Sequence, residues 1–269
     1  MKKNILRKIK KILNNNIYFL LILFVIISLS LFFIYKTKKY IKNDYYDIQI
    51  SASNDLKNTF NAIKQLKTEK NIPLSQYDYD KTGMIGEDYN NITTTLGSIE
   101  AKRSTCDYNM AALFVKIIKE DGIKENDTIG VLMSGSFPAL NFAMLSASKY
   151  MNLNLIIQSS IGSSTYGANN DNFSFPQMLN YIQKKGLTPY NSSLVSIGGD
   201  KDIGTNMNKE KTDIMCNELK NENINIFIEE DAQKNLKKRI EMYNDIDYFI
   251  AIGGNIYTND LLKYYNNKN

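Results

Sequence analysis
The sequence predicts an α/β fold: a Rossmann-like, mostly parallel sheet with helices on both faces, preceded by one N-terminal transmembrane helix. Three observations predict it. Residues 17–35 form an apolar run without a charge, Gly or Pro. Beyond residue 127, five short apolar runs rich in β-branched residues alternate with stretches of helical periodicity. Strands that alternate with helices make βαβ units, whose strands pair in parallel. The length of 269 residues suits one anchor and one domain.

Residues 1–16 are a basic arm that carries Lys2, Lys3, Arg7, Lys8, Lys10 and Lys11. The apolar run follows. Nineteen helical residues at about 1.5 Å each span roughly 28 Å, close to the hydrocarbon thickness of a bilayer. Tyr18 and Tyr35 stand at its ends, where interfacial aromatics belong. A cleaved signal peptide would need a shorter run and small residues after it. Phe32-Phe33-Ile34-Tyr35 followed by Lys36 gives neither, so an uncleaved signal anchor is expected. A juxtamembrane linker, 36–43, adds Lys36, Lys38, Lys39 and Lys42. Six basic residues before the run and four after it place the N-terminus in the cytoplasm by the positive-inside rule. The expectation is a single-pass protein of the cell membrane whose domain, 44–269, is extracytoplasmic.

The formal charge of +5 conceals a division. Ten of the 33 basic residues lie within the first 42 positions, where no acidic residue occurs; the remainder holds 23 basic and 28 acidic residues. A domain with that acidic excess lacks the basic face that nucleic acid demands, so no nucleic-acid partner is expected. The basic flanks suit the anionic surface of the lipid bilayer. There is no His, which excludes Ser-His-Asp and Cys-His catalysis and His-ligated zinc. Cys106 and Cys216 could pair outside the cell, but two cysteines 110 apart make no disulfide framework and no metal signature.

Within the domain, 44–70 reads as a helix because Leu56, Phe60, Ile63 and Leu66 share one face and Pro73 follows its end. Residues 71–106 are polar and broken by Gly83, Gly86 and Gly97. So long an irregular stretch in a compact domain points to a functional or partly stranded segment. A helix over 107–121 precedes the regular alternation. Strands are predicted over 128–133, 153–158, 192–197, 224–228 and 247–252, with helices over 138–150, 175–185, 206–221 and 232–243 between them.

In such sheets ligands bind outside the carboxyl ends of the strands. Ser134-Gly135-Ser136-Phe137-Pro138 joins the first strand to a helix, whose N–H groups attract an anion; a capping Ser and a tight-turn Gly explain the same residues. Residues 159–170, with Ser159, Ser160, Gly162, Ser163 and Asn169, suit either close backbone approach to a ligand or an ordinary flexible loop. The loop at Gly198-Gly199-Asp200-Lys201-Asp202 offers two carboxylates. No cofactor is expected, although Asp200 and Asp202 could hold a divalent cation through oxygen; pairing with Lys201 or helix capping are the alternatives. Thr93-Thr94-Thr95-Leu96-Gly97 and then Lys102-Arg103 add hydroxyls and the best local cations for a carboxylate or phosphate, or else a solvated charged turn. Gly253-Gly254-Asn255 is featureless alone.

Several of these stretches resemble, in order, the poly-γ-glutamate system proteins found with bacterial poly-γ-glutamate capsule synthesis. They are Ile85-Gly86-Glu87 with Ile92-Thr93-Thr94-Thr95-Leu96-Gly97, Glu100-Ala101-Lys102-Arg103-Ser104, Ser134-Gly135-Ser136-Phe137-Pro138-Ala139-Leu140-Asn141, Ser159-Ser160-Ile161-Gly162-Ser163-Ser164 with Gly167-Ala168-Asn169, and Ser196-Ile197-Gly198-Gly199-Asp200. The resemblance covers roughly residues 83–255. Family members continue well beyond the turn matched by Gly253-Gly254, whereas this chain stops at Asn269. It implies a membrane-tethered accessory of polymer synthesis or export. Its expected partners are the bilayer, other poly-γ-glutamate synthesis proteins, and poly-γ-glutamate or a γ-glutamyl intermediate.

On this reading an anionic γ-glutamyl ligand binds at the strand ends. Thr94, Thr95, Arg103, Ser159, Ser160, Gly162, Ser163, Asn169, Gly198, Gly199 and Asp200 are its expected contacts. Two alternatives stay open. One is a hydrolase or transferase acting on γ-glutamyl amides through Ser134 or Ser136, with Lys102 as base, since Ser-Lys pairs exist. The other is a non-catalytic scaffold of the synthase.

Overall fold
The structure, a computed structural model, describes residues 4, 5, 7, 8, 10, 16–39 and 42–267. Most of the predicted basic arm, Lys2, Lys3 and Lys11 included, lies outside the described residues. The chain divides into two units, Met1–Asp44 and Tyr45–Asn269. The first holds helix α1 (Asn16–Thr37), whose stretch Ile17–Thr37 is long and apolar enough to cross a membrane.

The second unit opens with α2 (Tyr46–Glu69), which buries Leu56, Phe60, Ile63 and Leu66 as their spacing predicts. The polar stretch after it is largely irregular, as its glycines predict, but ends in a short helix, α3 (Ile99–Ser104). Ser98 starts that helix by accepting a hydrogen bond from the Ala101 N–H at 3.2 Å. Next come α4 (Asn109–Glu120), β1 (Thr128–Met133), α5 (Pro138–Tyr150), β2 (Asn154–Ser160), α6 (Phe175–Lys184), β3 (Leu194–Ser196), α7 (Lys209–Asn221), β4 (Ile226–Phe227), α8 (Ala232–Met242) and β5 (Tyr248–Ile252). A last helix, α9 (Thr258–Asn266), was not expected.

All five strands are parallel, in the order β4-β3-β2-β1-β5. The chain steps outward from β1 to β4, then returns past β1 to lay down β5. The direction of winding therefore reverses between β1 and β5, where an open α/β sheet leaves a crevice. β1 shows the period of two: Ile129, Val131 and Met133 join the main core with α2, α4, α5 and α6, while Leu132 faces Tyr243, Tyr257, Leu261 and Tyr265 from α8 and α9. Gly130 lies on that second face because a Cβ there would stand 2.7 Å from Ile246 Cδ1 and 2.8 Å from Tyr243 Cδ1. A third cluster packs Ile92 of the irregular segment with Ile161, Val195, Met215 and Leu219.

Cys106 and Cys216 do not pair: both are free and buried, in different clusters. Burial pushes the Cys106 thiol up to about 12.

A candidate ligand-binding site at the strand ends
A cavity of about 480 Å³ opens at the carboxyl edge of the sheet. Four loops and the polar segment line it. Ser134 follows β1, Ser160 and Gly162 close β2, Gly198-Gly199-Asp200 follow β3, and Gly254-Asn255-Ile256 follow β5. Thr94 and Thr95 come from the polar segment, which the Thr94 N–H fastens to the Ser163 carbonyl at 2.8 Å and the Thr165 N–H to the Thr95 carbonyl at 2.9 Å. Gly198 and Gly199 take φ of 79° and 69°, a left-handed backbone that favours glycine and turns the chain sharply under the cavity. Such a volume falls in the range of small-molecule pockets, about 300–1,000 Å³.

Behind the lining residue Asn255 lies a buried ion pair. Arg239 and Asp202 are both fully buried and meet at 2.5 Å. Arg239 also donates to Gln158 Oε1 of β2 at 2.8 Å and to Asn235 Oδ1 at 2.9 Å. Asp202 accepts from Ser196 Oγ at 2.8 Å and from Asn255 Nδ2 at 2.9 Å. The pair thus joins the ends of β2, β3 and β5 to α8, and it holds Asn255 at the cavity. Sequence reading missed Arg239, Asn206, Gly254 and Asn255. The Asn235/Arg239 spacing of four on α8 was the available signal, but only the strand order tells which loops converge.

The two carboxylates that could hold a cation have other partners. The Asp202 carboxylate is committed to Arg239, and Asp200 is exposed and accepts from Thr205 Oγ1 at 2.7 Å. The described residues hold no group of three or more acidic or Cys side chains able to ligate a metal.

Of the expected ligand contacts, Thr94, Thr95, Ser160, Gly162, Gly198, Gly199 and Asp200 line the cavity. The others hold the fold. Ser159 lies inside β2 rather than after it, and its hydroxyl shares a 2.7 Å hydrogen bond with that of Ser192. Ser163 Oγ donates to the Gly135 carbonyl at 3.0 Å. Asn169 clamps the polar segment: its Oδ1 accepts from the Glu87 N–H, and its Nδ2 donates to the Glu87 carbonyl and Thr93 Oγ1, each at 2.9 Å. Arg103 donates from Nε to the Tyr77 carbonyl at 3.0 Å and stacks 3.7 Å from the Tyr79 ring centroid, so it braces the segment instead of reaching the cavity.

Among the candidate catalytic residues, Ser134 lines the cavity, and Ser136 and Lys102 lie beside it, buried. Ser134 Oγ donates to Ser136 Oγ at 2.9 Å, and Ser136 Oγ accepts the Ser164 N–H at 3.0 Å. Lys102 reaches neither hydroxyl. Its Nζ donates to the Ser136 carbonyl and to Ser164 Oγ at 2.8 Å, 3.8 Å from the Phe137 ring centroid. No carboxylate pairs with it among the described residues, and burial lowers its ammonium to about 8. A Ser–Lys pair is present, but its serine is Ser164.

The chain matches no family model, no curated protein and no solved structure.

Proposed function
We propose that this is a membrane-anchored accessory protein of poly-γ-glutamate synthesis or export that binds a γ-glutamyl ligand in the strand-edge cavity. One observation supports the reading above all. Stretches that resemble the poly-γ-glutamate system proteins lie far apart in the chain, yet Thr94-Thr95, Ser134, Ser160-Gly162 and Gly198-Gly199-Asp200 come from four of them and meet around one cavity. Convergence of separate loops on a cavity at a topological switch point is how α/β sheets build ligand sites. The apolar helix α1 suits a tether, with the domain on the outer side where polymer is exported. Deleting the gene from a capsule-producing host tests the reading: polymer yield or chain length should fall. Unchanged yield and length would contradict it.

A second reading, a serine-dependent hydrolase or transferase acting on γ-glutamyl amides, draws support from the 2.8 Å contact between Lys102 Nζ and Ser164 Oγ. A lysine held near 8 is about one-tenth neutral at pH 7 and can take a hydroxyl proton. Labelling by a fluorophosphonate probe that disappears in Ser164→Ala would favour it. Labelling that persists in Ser164→Ala, or none at all, would count against it.

A further inference from the structure
The charges around the cavity are the reverse of what an anionic polymer laid across it would need. Among the described residues that line it, Asp200 alone is charged, and neither Lys102 nor Arg103 reaches it. The domain beyond residue 42 is itself net acidic, with 23 basic and 28 acidic residues. A run of carboxylates would therefore meet repulsion and no cation. The donors that remain are few and local. The hydroxyls of Thr94 and Thr95 and the N–H groups of Gly199 and Gly254 make no hydrogen bond to protein among the described residues, and all four residues line the cavity. One exposed carboxylate beside a small set of neutral donors is the pattern for a ligand that carries an ammonium next to a carboxylate.

In a γ-linked glutamyl chain every internal α-amino group is acylated by the preceding unit. Only the amino-terminal unit keeps both its α-ammonium and its α-carboxylate. We infer that the cavity takes this zwitterionic amino-terminal end, with the ammonium on Asp200 and the carboxylate on the donors of Thr94, Thr95, Gly199 and Gly254. The choice of a glutamyl chain rests on the function proposed above; the zwitterion rests on the cavity. The protein would then hold a chain end and leave the polyanion outside. Asp200 is exposed, and it sits in a short turn where its N–H donates to Asn206 Oδ1 at 2.9 Å. An Asn there keeps that backbone contact.

The test is equilibrium binding to the full chain in detergent micelles, with tri-γ-glutamate, its N-acetylated form and free glutamate as probes. The inference expects tri-γ-glutamate to bind, acetylation to weaken it at least tenfold, and Asp200→Asn to weaken the unmodified peptide by about tenfold, the usual effect of losing one charge-assisted contact. Equal binding of the free and acetylated peptides would overturn it and leave γ-glutamyl binding standing. Free glutamate binding as tightly as the tripeptide would keep the zwitterion and remove the chain end. If no probe binds at millimolar concentration, the inference and the function it rests on fall together.

Discussion

Substituting Arg239 by Met should be the most damaging single change near the cavity that leaves the core's volume nearly intact. Arg239 is fully buried and makes three hydrogen bonds, to Asp202, Gln158 and Asn235. Met keeps the aliphatic stem and removes the charge. The Asp202 carboxylate then keeps neutral donors, Ser196 and Asn255 at the shortest distances, and loses the cation that compensates it at 2.5 Å. Removing one partner of a buried ion pair costs about 3–5 kcal/mol, because the other charge stays buried without compensation. Against a typical domain stability of about 5–15 kcal/mol, the variant should fold but unfold at markedly lower urea. Asp202→Asn added to Arg239→Met removes the orphaned charge and should restore about 1–3 kcal/mol, a non-additivity expected of contacting residues. Urea titration of the full chain in detergent, followed by near-UV tyrosine dichroism, reads both. The chain has 18 Tyr and no Trp, and the ring centroid of Tyr257 lies 5.3 Å from the Arg239 guanidinium. A loss under about 1 kcal/mol for Arg239→Met, or additive losses in the double variant, would refute the reasoning.

Other outcomes are expected from the same structure. Lys67 and Lys102 are both held at about 8 by burial, below the usual 10.5, so the unfolded chain binds more protons between those values. Stability should therefore rise as pH goes from about 7.5 to about 9, and Lys102→Met should flatten the rise; a flat profile in the parent would contradict this. Above about 9 the buried Cys106 thiol, pushed up to about 12, works in the opposite direction and should reduce the gain, one thiol against two lysines. Gly130→Ala should cost about 1–3 kcal/mol in the same urea titration, because its Cβ would overlap Tyr243, whose hydroxyl donates to the Val131 carbonyl at 2.8 Å. Protease added to intact spheroplasts should clip the domain if the six-to-four excess of basic residues before the apolar run sets the topology; complete protection would reverse the orientation.

The strands were legible because parallel strands buried on both faces read as short continuous apolar runs, as in Thr128–Met133. Helix α2 was legible from four apolar positions at helical spacing, and the cavity's address from the rule that loops at the carboxyl ends of parallel strands hold ligands. What could not be read was which side chains in those loops point at the cavity. Ser159 and Ser160 are neighbours in β2, so they face opposite sides of the sheet; with the strand expected to end at 158 instead of 160, both read as loop contacts, and only Ser160 lines the cavity. Asn169 and Arg103 look like ligand contacts in sequence, yet Asn169 ties the polar segment to the loop after β2 and Arg103 braces that segment internally through Tyr77. The Asp202–Arg239 pair spans 37 residues and the whole β3–β4 crossover, and only the three-dimensional arrangement brings it together. It also removes Asp202 from any cation site that spacing suggests. Strand β4, two residues long, shows why the predicted run 224–228 ended early: Ile228 is 53% exposed and has left the sheet.

The claim that the strand-edge cavity is the γ-glutamyl site is tested most directly by filling it. A Cβ added at Gly254 would meet nothing within 4 Å, and the residue lines the cavity, so Gly254→Leu should project into open space without disturbing the fold. Calorimetric titration of tri-γ-glutamate into the full chain in detergent, parent against variant, is the measurement. The account predicts that the parent binds and that Gly254→Leu loses at least tenfold in affinity while its urea midpoint is unchanged. Equal affinity in parent and variant, or no heat from the parent at millimolar peptide, would contradict it.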